Sequence, residues 1–180
     1  MSQRIQMVFM LVAALVFLPA FALAATVDLP KTGQTTSYDT GDDGDLEEGV
    51  AWASPRFTDN TDGTVTDNLT GLMWTKNADL AGQRTWANAL AYVNALDFAG
   101  YDDWRLANVN ELESLINAEK AGSATWLNTQ GFTNVQAAIY WSSTTYDNNT
   151  ANAWIVHMED GYVIATNPKT STFYLWKGNS

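Results

Sequence analysis

Cysteine is absent from all 180 residues, which excludes disulfides, thiolate metal sites, cysteine nucleophiles, haem attachment and lipoprotein anchoring together. Histidine occurs once, as His157. No site needing two imidazoles can form, and only one residue is available as the base of a Ser-His-Asp arrangement. Positive charge is scarce as well. Lys and Arg number 9 against 20 Asp and Glu, a formal net charge of −11, so the chain lacks the basic footprint that nucleic acid or an anionic membrane surface requires. No internal repeat is evident, and proline occurs only 4 times. What the chain has is apolar and aromatic surface. It is 46% hydrophobic and 16% charged, with 8 Trp and 7 Tyr, a composition that folds rather than staying disordered.

From Met7 to Ala25 every residue is apolar or proline, with Arg4 before the run, Pro19 breaking it and Ala22-Leu23-Ala24 as a cleavage site. This predicts a signal peptide over 1–24 and an exported protein with no membrane insertion after cleavage. Residues 25–50 form an acidic arm rich in Gly and Thr, with six acids between Asp39 and Glu48. The letters Leu29-Pro30-Lys31-Thr32-Gly33 spell a sortase motif, but beside a signal peptide they lack the C-terminal context such a signal needs. Residues 51–180 are long enough for one domain with its own core.

Within that domain, Asp62-Gly63 between β-favouring residues predicts a hairpin over Phe57–Asp67, and Leu72-Met73-Trp74 a further strand. Thr85 precedes a helix with Trp86, Ala89, Leu90, Val93 and Leu96 on one face. Asn108 and Glu111 have capping-box spacing before a second helix buried through Leu112, Leu115 and Ile116. Strands follow at Tyr140–Thr144, Ala153–Met158, Tyr162–Thr166 and Phe173–Trp176, with a turn at Asp160-Gly161. The expected class is α+β, with helices beside an antiparallel sheet.

The wording Asp-Gly-Thr-Val-Thr-Asp-Asn-Leu-Thr-Gly-Leu-Met-Trp at 62–74 resembles the C-terminal domain of the Legionella collagen-like adhesin family. Trp104-Arg105-Leu106-Ala107 with Asn110-Glu111-Leu112, and Tyr140-Trp141-Ser142-Ser143, are similar to later blocks of that family, in the expected order. The resemblance implies a C-type-lectin-like fold, two helices beside a twisted antiparallel sheet with a loop-rich binding edge. It implies a secreted or surface bacterial protein and, in the adhesin, binding of sulfated polysaccharides. Three features depart from the family pattern: Ala107 stands at a usual proline, Lys177-Gly178-Asn179-Ser180 replaces a frequent basic ending, and no collagen-like segment is present.

Beyond the signal the eight basic residues, Lys31, Arg56, Lys76, Arg84, Arg105, Lys120, Lys169 and Lys177, are scattered, which favours a neutral glycan or a protein over a polyanion. Sugar binding uses an aromatic face with Asn, Asp and Ser gripping hydroxyls. Trp141, Tyr146 and Trp154 frame Asp147, Asn148, Asn149 and Asn152, and these seven are the candidate ligand-binding residues; both tryptophans also fit a core role. The calcium-lectin triplets Glu-Pro-Asn, Gln-Pro-Asp and Trp-Asn-Asp are absent. Asp39, Asp42, Asp43 and Asp45 are the candidate ligands of a structural Ca²⁺, with Asp59, Asp62 and Asp67 as a second cluster; neither follows Asp-x-Asp-x-Asp-Gly spacing, and solvated acidic loops are the competing reading. His157 sits mid-strand, where a structural histidine is expected, and Glu111 and Glu113 point apart on a helix. The expectation is an exported, non-catalytic binding module for a carbohydrate or surface protein. The alternative is a structural or assembly component of the envelope, forming homo-oligomers through its arm or an apolar face.

Overall fold

The computed structural model describes residues 29–179; the predicted signal peptide, the first residues of the arm and Ser180 lie outside the described residues. The hairpin forms as its Asp-Gly turn predicts, β1 (Phe57–Asp59) pairing antiparallel with β2 (Thr64–Asp67). Gly63 sits at φ +95° in the connection, a left-handed value that glycine reaches without strain. β3 (Met73–Thr75) adds to β2. Then β4 (Arg84–Thr85) leads into α2 (Trp86–Asn94), which buries Ala89 and Val93 from its apolar face. A short α1 (Asp43–Leu46) precedes all of these, in the arm.

β5 (Arg105–Leu106) leads to α3 (Val109–Glu113). The predicted capping box is complete: Asn108 accepts from the Glu111 N–H at 3.0 Å while the Glu111 carboxylate accepts from the Asn108 N–H at 2.8 Å. α4 (Ser123–Leu127) follows, a helix the sequence reading did not predict. β6 (Ile139–Thr145), β7 (Asn152–His157), β8 (Val163–Pro168) and β9 (Thr172–Leu175) occupy the expected positions, and β10 (Lys177–Asn179) ends the described chain.

The class is α+β, with two corrections to the expected arrangement. There are two five-stranded sheets instead of one, in orders β1-β2-β3-β10-β5 and β4-β9-β6-β7-β8. The second is mixed, because β9 lies parallel to β6, with Tyr140 opposite Tyr174 and Trp141 opposite Leu175. That crossing delivers the chain from Leu175 straight into the first sheet, where β10 inserts between β3 and β5. The ending at 177–179 is thus an interior strand.

The second sheet is buried on both faces, which explains the nearly continuous apolar run of β7. Tyr140, Val156 and Met158 join Trp74, Leu112, Leu115, Leu127, Phe132 and Trp176 in the larger core between the sheets. Trp141, Ala153, Ile155 and Leu175 face the other way, onto Ala89 and Val93 of α2 and onto Trp104. Trp176 ties the layers: its ring lies 5.0 Å from Phe132 and 5.5 Å from Trp74, and its indole N–H donates to the Thr75 carbonyl at 2.9 Å. Ala107 is fully buried, and its N–H donates to the Trp176 carbonyl at 3.3 Å, a bond that a proline there could not make. Among the described residues no helix is long and apolar enough to cross a membrane.

Candidate binding edge

The loop joining β6 to β7 is built by its own asparagines. The Tyr146 N–H donates to the Asn152 carbonyl at 3.1 Å, closing the loop, and the Asn152 N–H donates to the Asn149 carbonyl at 2.9 Å. The Asn149 side chain accepts from the Ala151 N–H at 3.2 Å, so this residue shapes the turn. Asn148 donates to the Tyr146 hydroxyl at 3.2 Å. Residues 147–151 are exposed, and Asp147 accepts no hydrogen bond from the described residues.

Of the aromatic frame expected around this loop, two members come together. Tyr146 and Trp154, both half-buried, meet edge to face at 5.8 Å with their planes at 87°. Trp141 does not join them. It is fully buried, packs 4.7 Å from Phe173 and donates its indole N–H to the Arg84 carbonyl at 3.0 Å, so it is a core residue and corrects the expectation of a ligand contact. Tyr162, 61% exposed, lines a separate groove of about 270 Å³ with Ile139, His157 and Ile164. Lys169 flanks the loop, its ammonium 3.9 Å from the Trp86 ring centre and donating to the Thr145 hydroxyl at 2.8 Å.

The eight indoles divide sharply by what their N–H groups do. Those of Trp52, Trp86, Trp104, Trp141 and Trp176 donate to backbone carbonyls. That of Trp74 is enclosed without a partner. Only Trp126 and Trp154 combine a half-buried ring with an N–H that is neither enclosed nor bonded to the described protein. These two are equipped to meet a ligand, and sequence reasoning singled out only Trp154. Trp126 lies on α4, whose five residues are too short for helical periodicity to register.

The acidic clusters do not converge on a cation cage. Among the described residues no group of three or more His, Asp or Glu is placed to hold a metal ion. The Asp42 carboxylate instead caps α1 and accepts from the N–H groups of Tyr38, Asp39 and Asp45, and the Tyr38 bond is the main one holding its pKa below the ordinary carboxylate value. Asp45 accepts from the Gly41 N–H, Asp39 from the Thr40 N–H and Asp43 from the Thr32 hydroxyl. In the second cluster Asp59 pairs with Lys76, Asp62 holds the Thr64 hydroxyl and Asp67 binds Arg56. Backbone and neighbouring side chains supply the donors, so the proposed Ca²⁺ ligands point to their own turns.

The arm itself is docked on the domain. Glu119 accepts from the N–H groups of Thr35 and Thr36 at 2.9 and 3.1 Å, Ala118 donates to the Thr32 carbonyl, and Trp52 donates to the Lys31 carbonyl. Gly44 is required here, since a Cβ would stand 2.1 Å from the Thr36 carbonyl oxygen. His157 closes β7 instead of sitting mid-strand, and its Nδ1 lies 2.7 Å from Asp160 Oδ1.

The cations are similarly engaged. Lys31, Arg56, Lys76 and Arg105 pair with Glu47, Asp67, Asp59 and Glu111. Arg84 and Lys177 lie 4.4 and 4.6 Å from the ring centre of Tyr92. Lys120 alone among the described basic residues has neither an ion pair within 4 Å nor a ring partner, though its charge helps to lower the pKa of Glu119. Such a surface offers no basic patch. No curated protein matches the sequence. Over residues 63–177, well over half of its length, the chain matches the Lcl C-terminal domain, and it belongs to that adhesin-associated family.

Proposed function

We propose that the protein is an exported, non-catalytic binding module of adhesin type, which uses the edge formed by Tyr146, Trp154 and residues 147–152 to hold a carbohydrate or a surface protein. The observation that carries this reading is the Tyr146–Trp154 pair at 5.8 Å beneath an exposed loop, with the Trp154 N–H and the Asp147 carboxylate both unengaged. An aromatic platform with free donors and acceptors around it suits a pyranose or a protein side chain. Membership of the Lcl C-terminal domain family and two helices flanking a loop-bearing sheet support a C-type-lectin-like arrangement. The signal-like run at 1–24 supports export. The satisfied His157 and the separation of the carboxylates into turn and ion-pair roles support a non-catalytic reading.

The test is retention on a broad glycan panel that includes sulfated polysaccharides, in Ca²⁺ and again in EDTA, with Tyr146→Ala and Asp147→Ala as variants. Retention lost in both variants with folding intact is the expected result. Unchanged retention in both would refute the edge. One observation favours the second reading, an assembly component: Leu29, Tyr38, Leu46 and Val50, four of the exposed large apolar side chains, all lie in the arm. Self-association through the arm would be seen by sedimentation as a concentration-dependent mass.

A further inference from the structure

A second groove of the described protein lies away from the β6–β7 loop. It encloses about 460 Å³ and is lined by Lys120, Gly122, Thr125, Trp126, Thr129 and Glu159, with Ala121 at its side. That volume is in the range of small-ligand sites. The Trp126 ring lines the groove and packs 5.5 Å from Trp52 and 5.9 Å from Phe57, contacts that hold the indole in place. Its wall is the Glu159 carboxylate. Neither oxygen accepts a hydrogen bond from the described protein, and Oε2 is enclosed.

An enclosed carboxylate oxygen without a donor is costly, and protein groups usually supply one. Here the approach is made possible by Gly122, since a Cβ at that position would stand 3.1 Å from both Glu159 oxygens. Lys120 and Thr125 on the rim are exposed, and the side chain of neither makes a hydrogen bond to the described protein, although the Lys120 charge also helps to lower the pKa of Glu119. The groove therefore presents an aromatic face, an unsatisfied acceptor and unengaged donors, the requirements of a ring that is apolar on one side and hydroxylated at its edge. One carboxylate and one ammonium cancel in formal charge. A sulfate or uronate would meet Glu159 without a surplus of cations.

We propose that this groove is a second saccharide site, which takes an uncharged hexopyranosyl unit stacked on Trp126 with a hydroxyl donating to Glu159 Oε1, the carboxylate oxygen that is not enclosed. The proposal rests on the reading of the protein as a glycan-binding module but places a site where that reading has none. The experiment follows the indole N–H resonances of the exported full chain, labelled with ¹⁵N at tryptophan, during titration with cellohexaose, maltohexaose and mannohexaose and with a sulfated heparin hexasaccharide. The expected result is that a neutral hexasaccharide moves the Trp126 resonance. Glu159→Gln, which keeps the shape and removes the charge, then weakens that binding at least tenfold, in line with a charge-assisted hydrogen bond. Gly122→Ala weakens it with the melting temperature kept, because a methyl group 3.1 Å from both oxygens pushes the carboxylate off its position.

Movement of the Trp154 resonance alone, indifferent to both variants, overturns this site and leaves the loop reading standing. Movement of Trp126 by the sulfated probe alone, strengthened by Glu159→Gln, overturns the ligand class. Silence of Trp126 with every probe overturns the proposal. Whether the Tyr146 and Asp147 variants lose retention then decides the loop reading separately.

Discussion

Replacing Asp67 by Asn tests the one ion pair enclosed on both sides among the described residues, with the Arg56 and Asp67 side chains 4% and 0% exposed. The carboxylate takes the Arg56 Nε and Nη2 at 3.4 and 3.3 Å, the Leu69 N–H at 3.0 Å and the Thr70 hydroxyl at 3.0 Å. The guanidinium lies 4.2 Å from the Trp52 ring centre and 4.8 Å from that of Phe57, and also donates to the Ser114 carbonyl. One cation thus joins Trp52 ahead of β1, the first hairpin and the C-cap of α3. Asn at 67 keeps the oxygen that accepts from Leu69, makes the Thr70 hydroxyl an acceptor of the amide NH2 instead of a donor, and strands the cation. Leaving an enclosed charge without its counterion costs about 3–5 kcal/mol, and the long nitrogen–oxygen distances put the expected loss near 3 kcal/mol. At roughly 2–4 °C per kcal/mol for a domain of this size, the melting temperature falls by about 6–12 °C. Urea unfolding followed by tryptophan fluorescence measures it. Arg56→Met combined with Asp67→Asn is expected to lose less than the two single changes together, since no charge remains to strand. A loss below about 1 kcal/mol for Asp67→Asn would refute the argument, because it would mean that the ring cage of Trp52 and Phe57 satisfies the cation without a carboxylate.

Three further outcomes follow from the same kind of accounting. Asn108→Ala removes the donor-satisfying cap of α3 and is expected to cost about 1 kcal/mol in the same unfolding assay, with Arg105 still holding Glu111 at 2.6 Å through both guanidinium nitrogens. The Thr36 hydroxyl and the Thr35 and Thr36 N–H groups hold the Glu119 pKa down to about 2 from 4.5. A lowered acid stabilises above its free value, so docking of the arm is full above about pH 4.5 and is lost as pH falls toward 2; amide exchange at Thr35 and Thr36 reads this, and Glu119→Gln removes the pH dependence. Lys177 is buried with no hydrogen-bond partner for its ammonium, and burial, with the Arg84 charge adding to it, lowers its pKa to about 8 from 10.5. Between those values the unfolded chain binds the proton and the folded one does not, so stability rises with pH across that window. Lys177→Met is expected to remove that rise and to stabilise the protein at neutral pH by about 1–3 kcal/mol.

The elements legible in the sequence are those whose signals are local. The Asp62-Gly63 turn, the capping box at Asn108 and Glu111, and the apolar stripe of α2 each appear where residue chemistry alone puts them. What escaped is long-range. Nothing local marks β9 as parallel to β6, or Lys177-Gly178-Asn179 as a strand between β3 and β5, because the pairing partners lie about 34 residues away in the first case and about 70 to 100 in the second. The apolar run of β7 is legible, but whether one or both faces are covered depends on α2 packing over Trp141 and Ile155. The candidate site follows the same division. Tyr146 and Trp154 meet because their strands pair, as their positions suggested, whereas Trp141 two residues into the same strand belongs to the core. Trp126 and Glu159 come together only through tertiary packing, with Ser123 and Ala124 donating to the carbonyls of Glu159 and Met158.

The distribution of charge narrows what such edges can hold. Arg56 and Lys177 are buried, and Lys31, Lys76 and Arg105 are neutralised by carboxylates, so much of the positive charge that a formal count credits to the surface is buried or paired. The acids are less restrained: Asp147, Glu48 and Asp102 are exposed, as are others along the arm. A polyanionic glycan therefore approaches a surface of its own sign, with only Lys120 and Lys169 near the two candidate sites to offset it. Repulsion of that kind is screened by salt, whereas stacking on an indole and hydroxyl bonding are not. Retention of a neutral glycan is accordingly expected to stay constant as ionic strength rises from about 0.01 to 0.15 M, a range over which the screening length contracts from about 30 to 8 Å. Retention that collapses over that range would mean that ionic contacts dominate, and it would turn attention from Trp126 and Trp154 to Lys120 and Lys169.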